Sequence, residues 1–420
     1  MLSIIREYKK IDKSMLHVIT VAFFVQLINV SFISILPLYM KAEGYSDATY
    51  AHYTSYRYLG MLALALLMAI YIKGRRILPL FYIAALGVPL FALLILIGVQ
   101  YKVTSLIVAS HLLWGTAYTF IQIPVLPYIM RNASKEQLTL TISLNYATWS
   151  IANIVSGFII ALLNGINSSI FNECTILYII TLGSFSTVYF ISKINKKEHI
   201  PVQTEKSVNL KDYDWKIIIK ALVPTTMLAI GAGFTIPFIS LFFSSVHNMS
   251  TATFSAMNFF TAILVTLSAM YVPSIKEKFG YSKAVPYTQL LAIVAMLIMA
   301  TTQYYNVFFI SAIIAALFYI IRQPLMSLAV PMTTEITMKY VGERNREMVS
   351  GLISAVWSGA YYFSAIGFGI LRHMEVEYVN IFWITAAMYL IGVFLYILLI
   401  REYDQMEHKE KMHPKIGMHF

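Results

Sequence analysis

Charge is what this 420-residue sequence has least of: Asp, Glu, Lys and Arg make up 12% of it. Soluble globular chains carry about 25%. The deficit, with 59% hydrophobic residues and a mean hydropathy of +0.70, excludes an ordinary soluble domain and reads as a chain embedded in lipid. Cysteine is nearly absent. Cys174 stands alone, which excludes an internal disulfide and says nothing about compartment. Acids are missing from the interiors of the apolar runs, since Asp47, Glu173, Glu277 and Glu335 all lie near run ends. Also missing at that depth is any Ser/His/Asp set, metal cluster or paired carboxylate, so no enzyme is expected. His408, His413 and His419 have no metal-ligand spacing, and no cofactor is expected. A cleavable signal is not expected either. The first apolar run, His17 to Met40, is too long for one and ends at Lys41 without a small-residue cleavage site.

What is present is length in apolar runs. A membrane helix needs about 20 mostly apolar residues. Twelve such spans are read in order at 15–40, 47–72, 77–99, 104–127, 139–163, 173–193, 217–243, 253–275, 284–303, 306–332, 348–371 and 378–400. The polar, lysine-rich segment 194–216 divides six from six. The expected organisation is a cytoplasmic segment 1–14, a six-helix bundle 15–193, a cytoplasmic linker 194–216, a second bundle 217–400 and a cytoplasmic tail 401–420.

Basic residues test this map, because cytoplasmic loops are enriched in Lys and Arg. With the N-terminus inside, the inner segments and their flanks hold 26 of the 31 Lys and Arg. Lys41, Lys102 and Arg372 fall outside, and Arg57 and Arg322 are left at membrane depth. Both termini are therefore expected in the cytoplasm, in a multi-pass protein of the cytoplasmic membrane. The net charge of +11 follows from topology and anionic inner-leaflet lipid, and no nucleic-acid partner is implied.

The two halves repeat. ATWSIANIVS (147–156) in span 5 matches AVWSGAYYFS (355–364) in span 11 at five positions, pairing Trp149 with Trp357 and Ser156 with Ser364. IQIP (121–124) in span 4 matches IRQP (321–324) in span 10, and Pro37 matches Pro237. Two such bundles related by an axis along the membrane normal are a carrier architecture, because they can rock about a site. Twelve spans, inner termini, a basic central linker and this repeat resemble the major facilitator superfamily over about residues 15–400. The resemblance implies an all-α membrane protein of two pseudo-symmetric six-helix bundles, a small-molecule substrate, and a monomer.

That family carries a loop signature between spans 2 and 3. YIKGRR (71–76) keeps Gly74, Arg75 and Arg76 but has Tyr71 at the acid position. EKFGYSK (277–283) in the second half keeps Glu277, Lys278, Gly280 and Lys283. Resemblance implies that Glu277 faces the start of span 5 as an inner-gate latch, a carboxylate against the positive end of a helix. The alternative is that the basic residues only set topology.

Polar groups inside spans are costly and normally face a cavity or partner. Arg322 lies about 24 Å down span 10, and Arg57 about 15 Å down span 2. His111, Gly115, Tyr118 and Gln122 in span 4 are spaced four, three and four apart, on one helix face. The repeat maps them onto Ser311, Ala315, Phe318 and Arg322, and Tyr319 lies beside these. Gln26 and Asn29 in span 1 are three apart and look the same way. The resemblance implies that spans 1, 4, 7 and 10 line a central cavity, with Trp149 and Trp357 flanking it or packing. Arg322 has a structural alternative, the Ile320 carbonyl freed by Pro324. His111 reads more simply as a hydrogen-bonded helix residue.

Arginine suits carboxylate or phosphate. The sequence therefore points to a secondary transporter of a small solute with an anionic group, working by alternating access. The rivals are an exporter of amphipathic compounds, supported by 26 Phe, 29 Tyr and 21 Met, and a receptor or scaffold on a carrier fold. Against a drug–proton exporter, span 5 has Asn153 where that group carries a proline, and no membrane acid appears. A coupling ion is left open.

Overall fold

The structure is a computed structural model that describes residues 11–72, 75–134, 137–194, 198–200 and 213–412. It is helical, with no strand among the described residues. Eleven of its described helices are long and apolar enough to cross a membrane. The segment expected as span 2 is a 25-residue helix, Asp47–Tyr71.

Local chemistry sets the helix ends. The Asp12 carboxylate accepts from the Ser14 N–H at 2.7 Å and starts span 1, Lys13–Ala42. Asn172 caps span 6 through the Thr175 N–H, and Asp214 caps span 7 through the Lys216 and Ile217 N–H groups. Span 3, Leu78–Gln100, is capped from a distance: Glu198, past the end of span 6, accepts from the Ile77 and Leu78 N–H groups at 2.6 and 3.1 Å.

Several spans are broken where the sequence reading drew them continuous. Span 4 is Thr104–Gln122 followed by Val125–Asn132, interrupted at Ile123 and Pro124. Its repeat partner, span 10, runs unbroken through Pro324 as Phe309–Tyr340. Span 6 divides into Glu173–Ser184 and Ser186–Ser192. Span 7 passes through a 3-10 turn, Ile236–Phe238, between Trp215–Thr235 and Ile239–His247, with Pro237 in the turn. The loop between spans 8 and 9 holds helix 272–279. Gly280 ends it at φ +64°, a left-handed conformation that glycine adopts without steric cost.

The chain forms two compact units. The first is Met1–Lys206 with Ser250–Phe259, and the second is Ser207–Met249 with Phe260–Phe420. The start of span 8, Thr251–Ala269, thus groups with the first unit. There Asn258 donates to Ser34, and the bare face of Gly157 lies against Ser255 and Phe259.

Four helix pairings recur in the two units. Span 1 packs on 5 and 6, and span 3 on 4 and 6; span 7 packs on 11 and 12, and span 9 on 10 and 12. The repeated serines do the same work in both. Ser156 meets Ser31 of span 1 at 2.7 Å, and Ser364 donates to the Ile230 carbonyl of span 7 at 2.8 Å.

Candidate functional site

Arg57 and Arg322, the two guanidiniums left at membrane depth, are both buried, at 4% and 2% exposure. Their surroundings differ.

In the first unit, Arg57 donates to the Asn29 side-chain oxygen. Asn29 in turn donates to Gln26 at 3.1 Å and to the Tyr118 hydroxyl at 3.4 Å, and Tyr118 donates to Gln26 at 3.1 Å. The guanidinium carbon lies 4.0 Å from the Trp114 ring centre and 5.8 and 5.9 Å from those of Tyr58 and Tyr118. One neutral oxygen and aromatic faces thus hold the charge, while Nε has no partner among the described residues. Gln26, Asn29, Arg57 and Tyr118 come together as one cluster. Trp114, which sequence reasoning missed, is its fifth member; its place one turn before Tyr118 was the available signal.

The rest of the span 4 stripe is used differently. His111 donates Nδ1–H to the Ile107 carbonyl of its own helix at 2.9 Å. Gly115 is a crossing point, since a Cβ there would sit 1.9 Å from the Arg57 backbone oxygen. Gln122 is exposed at the last turn before the break at Pro124. The four residues of the stripe thus have different surroundings. All four residues lie on the helix Thr104–Gln122, with Gln122 at its exposed end and Gly115 serving packing. Gln122 and Arg322 are equivalent in the repeat but not in environment.

In the second unit, Arg322 lines a cavity of about 180 Å³. It donates Nη2–H to the Tyr389 hydroxyl of span 12 at 3.2 Å, while its Nε has no partner among the described residues. The bond to Tyr389 takes the place of the expected alternative at the Ile320 carbonyl. Gln289 on span 9 lines the same cavity, 2% exposed, its side-chain oxygen also without a partner among the described residues. Trp357, Thr225, Thr333 and Tyr396 join the wall. No Asp or Glu lines it. Gly231 gives Tyr389 its room, since a Cβ there would meet that ring at 2.8 Å. Sequence reasoning missed Gln289 and Tyr389, which share no motif with Arg322.

Tyr319 is buried with its ring 5.5 Å from Phe243, and Trp149 is 46% exposed. Neither borders the cavity. Of the loop residues, Gly74 lies outside the described residues. Arg75 stacks at 4.5 Å on Tyr71, and its carbonyl accepts from Arg131 at 3.1 Å. Arg131 also holds the Ile72 carbonyl, at 2.8 Å. Arg76, Glu277, Lys278 and Lys283 are exposed. The ion pairs of the second-half loop form elsewhere, Glu335 meeting Lys276 at 2.7 Å and Lys339 at 3.1 Å.

Two repeated units of long apolar helices define a multi-pass helical membrane protein of the architecture that carriers share. The profile of the Major Facilitator Superfamily matches residues 18–365, and the chain belongs to that family. Solved structures agree on the fold. A nucleoside transporter, NupG, is 13% identical with a TM-score of 0.70, over 92% of this chain and 99% of its own. A D-xylose–proton symporter is 11% identical with a TM-score of 0.71, over 91% and 95%. A bacterial homologue of the iron transporter ferroportin, inward-facing, is 11% identical with a TM-score of 0.71, over 92% and 98%. No curated protein sequence matches the chain significantly. The protein is thus a multi-pass membrane protein of a transporter family, whose members act on small-molecule substrates and are typically not enzymes.

Proposed function

We propose that this protein carries a small solute with an anionic group across the cytoplasmic membrane by alternating access. It works as a monomer with both termini in the cytoplasm, and its moving bodies are the bundles 15–193 and 217–400. One observation carries the reading: Arg322 is buried in a cavity without an acid, and its Nε has no partner among the described residues. A permanent charge in such a place is compensated when an anion enters. Arg57 does not make the same case: its Nε also has no partner among the described residues, but Asn29 accepts from its Nη2 and Trp114 lies under the guanidinium.

Cavity size favours this reading over export of amphipathic compounds. Drug-sized ligands occupy about 300–1,000 Å³, and this cavity holds about 180 Å³. The neighbours' nucleoside, xylose and iron are too unlike one another to assign a substrate here.

Counterflow of radiolabelled organic anions in proteoliposomes tests the proposal. Arg322→Gln is expected to reduce the affinity for the transported anion at least about tenfold, the loss of a charge-assisted bond. Unchanged affinity would remove Arg322 from the site and the anionic group from the substrate.

A further inference from the structure

The cavity asks for more than a negative charge. Gln289 presents a side-chain oxygen that only accepts, buried and without a partner among the described residues. A bare carboxylate also only accepts, so it can satisfy Arg322 and, with the amide oriented as it is, leaves the Gln289 oxygen unpaired. A ligand that meets both must carry an acceptor with negative charge and a hydrogen-bond donor. At about 180 Å³ the cavity lies below the usual range for drug-sized ligands and suits a short one. Leu228, Met326, Ile353 and Trp357 give the wall apolar patches, which suit a carbon skeleton and have no use for an inorganic ion.

We infer that the second-unit cavity takes a short carboxylic acid bearing a hydroxyl or amino group near its carboxylate, with the carboxylate on Arg322 and the O–H or N–H donor on Gln289. The inference rests on the anion reading above and adds the second functional group. Tyr389, also in the wall, holds the guanidinium, and Gly231 sets where Tyr389 stands.

The test uses the purified full-length protein and measures thermal stabilisation and equilibrium binding. The probes are propionate, lactate and alanine, longer homologues up to about six carbons, and inorganic phosphate. Hydroxy or amino acids are expected to bind about tenfold more tightly than the unsubstituted acid of the same length, the worth of one buried hydrogen bond. Gln289→Met, close in size, should erase that preference, so that substituted and unsubstituted acids of one length bind alike. Gln289→Glu, which keeps size and polarity, should weaken every acid by charge repulsion. Arg322→Gln should weaken all of them together.

If Gln289→Met keeps the preference, or wild type shows none, the second functional group is wrong while the anion reading stands. If Arg322→Gln changes nothing, the anion reading falls and this inference with it. Stabilisation by phosphate alone would replace the organic ligand with an inorganic one. No stabilisation by any probe in the panel counts against a short acid altogether.

Discussion

Arg57 and Arg322 show how two residues of one type at one depth take different roles. No ion pair reaches either among the described residues. Arg57 is compensated from within: Asn29 accepts from it, Tyr118 and Gln26 brace Asn29, and Trp114 lies under the guanidinium. Asn29→Ala should therefore act on stability. It removes a bond to a charged group, worth about 1.5–3 kcal/mol, and the midpoint of thermal unfolding in detergent should fall accordingly. Arg322→Gln should do the reverse, leaving the ligand-free midpoint close to wild type while changing ligand affinity. A lower midpoint for Arg322→Gln with unchanged binding would exchange the two roles.

At the scale of elements, small residues decide how near two helices come. Gly60 of span 2 and Gly115 of span 4 lie at one crossing, where an added Cβ would sit 2.2 Å from the Leu112 carbonyl oxygen and 1.9 Å from that of Arg57. In lipid, helix association depends on such close packing. Gly115→Ala should force the pair apart and cost about 1–3 kcal/mol, as overpacking does. Gly165→Ala, with nothing within 4 Å of the new methyl, is the control and should be neutral or mildly stabilising. Unfolding midpoints of the two variants measure the difference. The backbone of Arg57 forms part of that crossing, so Gly115→Ala should also disturb the aromatic cluster, read by Trp114 fluorescence. The prolines act at this scale too. Pro124 coincides with the end of its helix and Pro324 does not, although the two occupy matching places in the repeat. The repeat preserves residue types better than local geometry, because the carbonyl that a proline frees can be satisfied in more than one way.

At the scale of the molecule, spans 1, 3, 4, 5 and 6 pair as spans 7, 9, 10, 11 and 12 do, and matching serines tie matching spans. Orientation across the bilayer is a matter of charge, which supplies a direct test. In a Cys174→Ser background, Ser168→Cys should react with a membrane-impermeant maleimide added to intact cells. Gln405→Cys should react only after permeabilisation. Labelling in the opposite sense would invert the topology drawn from Lys and Arg.

By itself the sequence determined that the chain lies in a bilayer, as helices, in two related halves. Apolar runs of this length must satisfy their backbone internally, which only helices do at such spacing, and a duplicated sequence carries its pairing rules with it. It also marked Arg57, Arg322, Gln26, Asn29, Tyr118 and Trp357, because polar or aromatic groups at depth are conspicuous against an apolar run. What only the tertiary structure decided is which of these groups already have partners. Position along a span gives depth but not the neighbours that other spans bring. Asn29 reaches Arg57 from span 1, and Tyr389 reaches Arg322 from span 12, 67 residues away in the chain. Gln289 carried no mark in its own span. It joins the site because the fold sets it in the same acid-free cavity as a half-satisfied guanidinium, a relation that no local pattern of residues can express.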